Sequence, residues 1–324
     1  MAAASTFPYV IVNAFTDSAF GGNPAAIVLL PPGSLAEGNA LLDPPKMTLI
    51  ARSFAQPITV FLSLPDRIES LNGDENLVYD VRFVVDTCFV QLCGHGAFVT
   101  AKAICRGMLP GVSQDIARNP VIKFRTLDGT IVCARAFGPG NKDTIAVGEV
   151  YELAIPVLAM EEVAEAERDD VRRMVAKALR KDADSVGLKY VARGVGHVDY
   201  RLVIVLDQSE KLEGRDIDIG AFLAGGYMAY TLTHATPGQR TAFVSRSFMP
   251  VTGIMEDHVC GTSHALMVPY YAAQPDVDVT AGREVFVRQV SPRGGDLWVT
   301  LDEENGVVRL RGNAKLFAKG EIMF

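Results

Sequence analysis

The sequence predicts an α+β fold of two pseudo-symmetric lobes, each a β-barrel-like sheet wrapped around a central apolar helix. Three observations predict it. The order strand, Cys-Gly, apolar helix, Gly-containing hairpin occurs twice, around "CFVQLCGHGAFVTAKAI" and around "IMEDHVCGTSHALMVPYY". The two Cys-Gly steps, Cys93 and Cys260, lie 167 positions apart (260 − 93), about half of the 324-residue chain. Both helices are apolar nearly all round, the pattern of a helix buried on every side. Repetition of one element order at half the chain length marks an internal duplication, and each half must bury its apolar faces in layers.

Taken in order, "FPYVIVNAFT" and "NPAAIVLL" read as strands, with Gly21, Gly22, Asn23 and Pro24 supplying turn chemistry between them. The Asp-Pro-Pro step in "DPPKMTLIARSF" opens a helix from about Lys46 to Ala55. "ITVFLSL" and "NLVYDVRFVV" are rich in β-branched and aromatic residues and read as strands. The first buried helix runs from Gly94 to about Met108. "VIKFRTLDGTIVCARAF" follows as a hairpin about Asp128-Gly129.

"ARAFGPGNKDT" is rich in Gly, Pro and polar residues and marks the boundary. It places the N-terminal lobe at 1–137, completed by the last strand at about 312–324, and the C-terminal lobe at 138–311. In the second lobe, "MEEVAEAERDDVRRMVAKALRK" is an amphipathic surface helix, "YRLVIVL" a buried strand and "IDIGAFLAGGY" a short helix. "GQRTAFVSRSFMP" is a strand leading to the second Cys-Gly. The second buried helix begins near Gly261, and "EVFVRQVSPRGGDLWVTL" forms a second hairpin.

Charge narrows the partners. The formal net charge is −7 from 31 basic and 38 acidic residues, without a Lys/Arg cluster, which argues against nucleic acid or an anionic membrane surface. The first residues lack the basic and long apolar regions of a secretory signal, and no apolar run reaches the length of a membrane span. Five cysteines is an odd number without a disulfide framework, so a cytoplasmic, reducing compartment is expected. Cys88, Cys105 and Cys133 fall in strands or the buried helix and read as core.

A helix that begins at a Cys-Gly step presents unbonded backbone N–H groups and a positive dipole end. Gly94 and Gly261 allow close backbone approach, so these termini suit a carboxylate or an enolate. A cysteine at such a terminus is expected to have a depressed pKa, and two thiols acting on one carbon can serve as base and acid. His95, Glu256, Asp257, His258, Thr262, Ser263 and His264 are the polar residues beside them. Cys93, His95, His258 and Cys260 could also be read as a Cys₂His₂ set. Their Cys-x-His spacing is tighter than that of structural zinc sites, so no metal is expected.

"VNAFTDSAFGGNPAAIVLL", "LCGHGAF" and "FMPVTGIMEDHVCGTSHA" together resemble the PhzF family of phenazine biosynthesis, within the diaminopimelate epimerase and proline racemase superfamily. The similarity runs from about Tyr9 to the closing "VVRLRGNAKLFAKGEIMF". It implies the diaminopimelate epimerase-like fold, an active site without a cofactor, a small carboxylate- or carbonyl-bearing substrate and a homodimer. It places the family's histidine on His95 and its acidic pair on Glu256 and Asp257. Gly94, Gly96, Gly261, Thr262, Ser263, Asn23 and Glu256 are its substrate-binding candidates.

Two departures stand out. The family template "IARExNxSE-TF" reads "IARSFAQPITVF" here, with Ser53 where a glutamate is expected. Serine has no useful basicity near neutral pH. Cys93 and Cys260 stand where epimerases and racemases of the superfamily carry their catalytic cysteines. The leading expectation is therefore a cofactor-independent isomerase or epimerase with Cys93 and Cys260 as acid and base, and His95 and Asp257 supporting them. Two alternatives stay open: PhzF-like proton relocation by Asp257 and His95 with idle cysteines, and a binding or scaffold protein that lost its base.

Overall fold

The computed structural model describes residues 6–35, 42–63, 69–71, 74–76, 78–86, 88–112, 120–138, 141–142, 144–146 and 149–323. The chain forms two compact units, Met1–Leu153 with Arg311–Phe324, and Ala154–Leu310. The division falls after the Gly- and Pro-rich stretch expected to mark it. The physical reason is a strand beyond that stretch, Val150–Pro156, whose first residues pair with Ala134–Phe137 and stay with the N-terminal unit.

In the N-terminal unit, β1 (Thr6–Ala14) pairs antiparallel with β2 (Asn23–Leu30) on one side and with the C-terminal strand Ala314–Met323 on the other. The β1–β2 connection requires glycine at one position. Gly22 has φ +68°, and a Cβ there would sit 2.1 Å from the Ala14 carbonyl oxygen. Helix α1 (Pro44–Phe54) begins earlier than the periodicity suggests, because Asp43 caps it: Lys46 N–H donates to Asp43 Oδ1 at 2.9 Å. It ends at Ala55, which adopts a left-handed φ of 51°.

β3 (Thr59–Ser63) returns parallel to β2. A short hairpin, β4 (Glu69–Leu71) and β5 (Asp74–Asn76), precedes β6 (Val78–Val85), which pairs antiparallel with β3 and with β7 (Cys88–Val90). Leu77, within the single expected strand "NLVYDVRFVV", lies outside the described residues. Helix α2 (Gly94–Cys105) follows. β8 (Val121–Arg125) then lies parallel to β6 and forms the Asp128-Gly129 hairpin with β9 (Ile131–Phe137). β10 (Val150–Pro156) adds to β9.

Helix α2 packs against β1, β2, β3 and β9. Phe98, on this helix, is fully buried between Phe15 (ring centroids 4.6 Å) and Tyr151 (5.9 Å). Burial of this kind contributes about 1.5–3 kcal/mol per large apolar side chain.

In the C-terminal unit, β11 (Met160–Glu162) takes the first residues of the segment expected to be wholly helical, and α3 (Glu165–Leu179) the rest. β12 (Leu188–Gly194) pairs antiparallel with β11 and β13 (Arg201–Leu206), and β13 runs parallel to β14 (Ala229–Ala235). The expected helix at "IDIGAFLAGGY" is a 3-10 helix, Ile219–Ala224. β15 (Thr241–Met249) pairs antiparallel with β14 and β16 (Ile254–Asp257). After α4 (Gly261–Ala272), β17 (Val285–Gln289) lies parallel to β15 and forms a hairpin with β18 (Gly295–Asp302), followed by β19 (Val307–Gly312).

The pairing scheme of the first unit therefore recurs in the second. β2–β3 parallel, β3–β6 and β6–β7 antiparallel, β6–β8 parallel and β8–β9 antiparallel match β13–β14, β14–β15, β15–β16, β15–β17 and β17–β18 in sense and order. In each unit the buried helix follows the short strand, β7 or β16, and cysteine is its N-cap.

Alternation along the strands sorts the side chains of the second unit. Leu202, Ile204, Tyr230, Leu232, Val244 and Phe248 join the apolar cluster that also holds Val171, Val175 and Leu179 of α3. Arg201, Thr231, Thr233 and Ser247 therefore project from the opposite face, where Ser263 and Tyr271 of α4 meet them. No helix of the described residues is long and apolar enough to cross a membrane.

Candidate active site

At the start of α2, Cys93 has extended backbone angles (φ −130°, ψ 107°) and leaves the helix without a side-chain cap. Its sulfur lies 3.3 Å from His95 Nδ1. This is a thiol–imidazole pair held by two residues of one turn, and such a contact stabilises a thiolate through the imidazolium. Cys93, Gly94 and His95 are half-buried. A Cβ on Gly94 would make an ordinary 3.6 Å contact with Leu153. Gly96 is different. A Cβ there would approach Phe83 and Val60 at 3.2 Å, so this glycine serves close packing of α2 on its sheet.

Cys260 occupies the same topological position before α4, again uncapped (φ −103°, ψ 103°), but in other surroundings. It is only 5% exposed. Burial raises its thiol pKa, opposed by the Arg201 guanidinium and reinforced by the Asp257 carboxylate. The depressed pKa expected at a helix N-terminus is therefore corrected for Cys260: desolvation of the sulfur outweighs the favourable charges, and it rests as a thiol. Arg201 Nη1 stands 3.4 Å from the sulfur and 3.5 Å from Ser263 Oγ.

The Cys260 main chain is fixed on both sides. Its N–H donates to Gln289 Oε1 at 2.8 Å, while Gln289 Nε2 donates to the Asp257 carbonyl. Its carbonyl accepts from His264 Nδ1 at 2.7 Å. That bond puts the proton on Nδ1, and burial holds the ring neutral with a pKa lowered to about 4. His258 is also lowered by burial, with Arg293 adding to the effect. Burial therefore favours the neutral form of both histidines.

The other sequence candidates divide sharply. Asp257 ends β16 opposite Ser247, and its charge is felt at Cys260, Arg201, His258 and His264. Its neighbour Glu256 instead holds Arg246 through two bonds, Nε–Oε1 at 2.8 Å and Nη2–Oε2 at 2.7 Å. Ser263 is fully buried and tied to Thr231 (2.9 Å) and Ser247 (3.3 Å). Asn23 is fully buried at the first residue of β2, paired with Ala14. Gly261 lies under Leu310, 3.1 Å from where its Cβ would be, and Thr262 is half-buried.

Two further expectations are corrected. Cys88 and Cys133 are exposed and not core, since Cys133 takes an outward position in the alternating pattern of β9 and Cys88 opens β7 at a turn. Cys105 is half-buried at the end of α2, where burial pushes its thiol up to about 12. Ser53 sits on the exposed side of α1, its hydroxyl donating to the Leu49 carbonyl at 2.8 Å, a position unsuited to proton transfer. The second acidic position of the same family template falls on Ile58. It is fully buried just before β3, whose Val60 packs on the first turn of α2. Neither position carries a carboxylate.

Arg201 is the functional candidate that sequence reasoning missed. Its one visible signal is a cation opening an otherwise apolar strand, "RLVIVL". Among the described residues no three His, Cys, Asp or Glu side chains gather as a metal-ligand set.

Comparison with known proteins places this architecture. The chain is 24% identical to an uncharacterized isomerase of Halalkalibacterium halodurans, over 98% of this chain and 99% of that one. A PhzF-family crystal structure from Enterococcus faecalis superposes with a TM-score of 0.72 at 25% identity, covering 98% of this chain and 99% of that one. The fold extends to a hydroxyproline epimerase from Agrobacterium vitis with bound trans-4-hydroxy-L-proline, at TM-score 0.56 and 13% identity over 99% of this chain and 92% of that one. The model of the phenazine biosynthesis-like (PhzC-PhzF) family matches residues 12–320, and the chain belongs to that family.

Proposed function

We propose that the protein moves a proton at a carbon α, or vinylogous, to a carboxylate or carbonyl of a small molecule, without a cofactor, using Cys93 and Cys260 as the acid–base pair. The protein is an enzyme of the isomerase class, in keeping with its family and with the isomerase named among its relatives. The observation that carries the two-thiol reading is the repeated pairing scheme, which gives each unit a buried helix with cysteine at its N-cap. An internal duplication with a proton-transfer group at the same point of each half suits a reaction that removes a proton and returns one.

The two surroundings divide the roles. Cys93, beside His95, is the base, and Cys260, resting as a thiol, is the acid. Backbone N–H groups at Gly94, Gly261 and Thr262 bind the carboxylate or developing enolate. Glu256, Ser263, Gly96 and Asn23 act in the framework. The active species is a homodimer, checked by sedimentation.

The test is solvent deuterium incorporation, followed by proton NMR in D₂O. The panel is a set of L-α-amino acids, trans-4-hydroxy-L-proline among them, and β,γ-unsaturated carboxylic acids. On a compound that exchanges, Cys93→Ser and Cys260→Ser each reduce exchange at least about 100-fold, the usual scale for losing one acid or base group. An Asp257→Ala variant separates the alternative. Complete loss there with both cysteine variants active would assign the proton transfer to Asp257 and His95.

A further inference from the structure

Arg201 is a cation buried to nine-tenths, yet it forms no ion pair with a carboxylate among the described residues. Its contacts are long: the Cys260 sulfur at 3.4 Å, the Ser263 hydroxyl at 3.5 Å and the face of Tyr200 at 5.1 Å. Its Nε is buried without a hydrogen-bond partner. The other well-buried arginines among the described residues behave differently, Arg246 on Glu256 and Arg311 on Glu152 each holding a carboxylate. Tyr200 and the Asp257 carboxylate act on Arg201, but neither closes an ion pair with it among the described residues, and a buried cation without a direct ion pair is costly unless an anion arises beside it. The group beside the guanidinium that can become an anion is the sulfur of Cys260, at 3.4 Å.

We infer that Arg201 is a positioning residue whose guanidinium receives Cys260 as a thiolate when that residue gives up its proton to the substrate. The inference rests on the two-thiol reading. In the step, the Cys260 S–H bond breaks and a C–H bond forms, using the electron pair of the enolate carbon. The sulfur keeps the S–H pair, and the resulting thiolate accepts from Arg201 Nη1. The proton first taken from carbon remains on Cys93, and exchange with solvent water resets both groups.

The charged groups facing the sulfur are Arg201 from β13 and Asp257 from β16, which act in opposite directions. His264 of α4 bonds to the Cys260 carbonyl, and Ser263 of α4, which is neutral, favours the thiolate through hydrogen bonds, so Arg201 is the one charged group facing the sulfur that favours the anion.

The test reads Cys260 directly and needs no substrate. Full-length protein is alkylated with iodoacetamide across pH 6 to 11, and modification of Cys260 is followed by peptide mass spectrometry, each profile normalised to its plateau. Arg201→Met moves the Cys260 profile upward by at least about one pH unit, a tenfold loss of thiolate at fixed pH. Arg201→Lys keeps a charge there and moves it less. If Arg201→Met does not fold, Arg201→Gln, which keeps a neutral amide in the strand, shows the same upward shift. An unchanged profile in a folded neutral variant overturns the inference, whatever happens to turnover. A shifted profile together with undiminished deuterium exchange in Cys260→Ser upholds the pairing of Arg201 with Cys260 and removes the two-thiol mechanism instead.

Discussion

Cysteine at the N-cap of α2 meets an imidazole, and cysteine at the N-cap of α4 meets a buried guanidinium. The Cys-Gly steps were legible in the sequence because each precedes an apolar helix. Their partners were legible only where they are neighbours in the chain. His95 lies two residues from Cys93, whereas Arg201 reaches Cys260 across 59 positions, a distance that pattern reading cannot span. Glu256 shows the opposite error. It stands beside Asp257 in the family motif, but the pleat turns adjacent residues to opposite faces and gives it to Arg246. Removing the carboxylate in Glu256→Ala leaves Arg246, 6% exposed, without its partner. The expected loss is about 3–5 kcal/mol of stability. Urea unfolding checks it, and a change under about 1 kcal/mol would return Glu256 to the substrate-binding candidates.

Element boundaries followed local chemistry where a cap or turn residue stood in the sequence. Asp43 set the start of α1 and Asp128-Gly129 the β8–β9 hairpin. Pairing was not legible, since β6 lies parallel to β8 across the intervening helix and β1 pairs with the last strand of the chain. That last strand is reached through Arg311, whose Nε donates to Glu152 Oε2 of β10 at 2.5 Å with both side chains nearly buried. Glu152→Ala is expected to cost about 3–5 kcal/mol, while the double replacement Glu152→Leu with Arg311→Met recovers much of it, because no buried charge is left unpaired. Denaturant midpoints of the three variants test this. An additive double variant would contradict a direct ion pair.

At the scale of the whole molecule, the two compact units repeat one pairing scheme, and the hydroxyl-lined face around α4 gives the second unit its polar interior. This interior also predicts a pH response. His264 has a folded-state pKa of about 4 against an ordinary 6.5, so the unfolded chain takes up its proton first on acidification. Its contribution to stability is complete above pH 6.5 and is lost as the pH falls towards 4, in all about 3 kcal/mol at 1.36 kcal/mol per pH unit. The stability difference between the wild type and His264→Gln should shrink by that order between pH 7 and pH 4. A difference independent of pH would show that His264 is not held neutral by burial.

The proposed proton transfer rests on two cysteines at equivalent points of the two units. Deuterium incorporation from D₂O into a substrate of the panel tests it most directly, compared among wild type, Cys93→Ser and Cys260→Ser. Loss of at least about 100-fold in each single variant, with both still folded, is the predicted result. Undiminished incorporation in either one would contradict it.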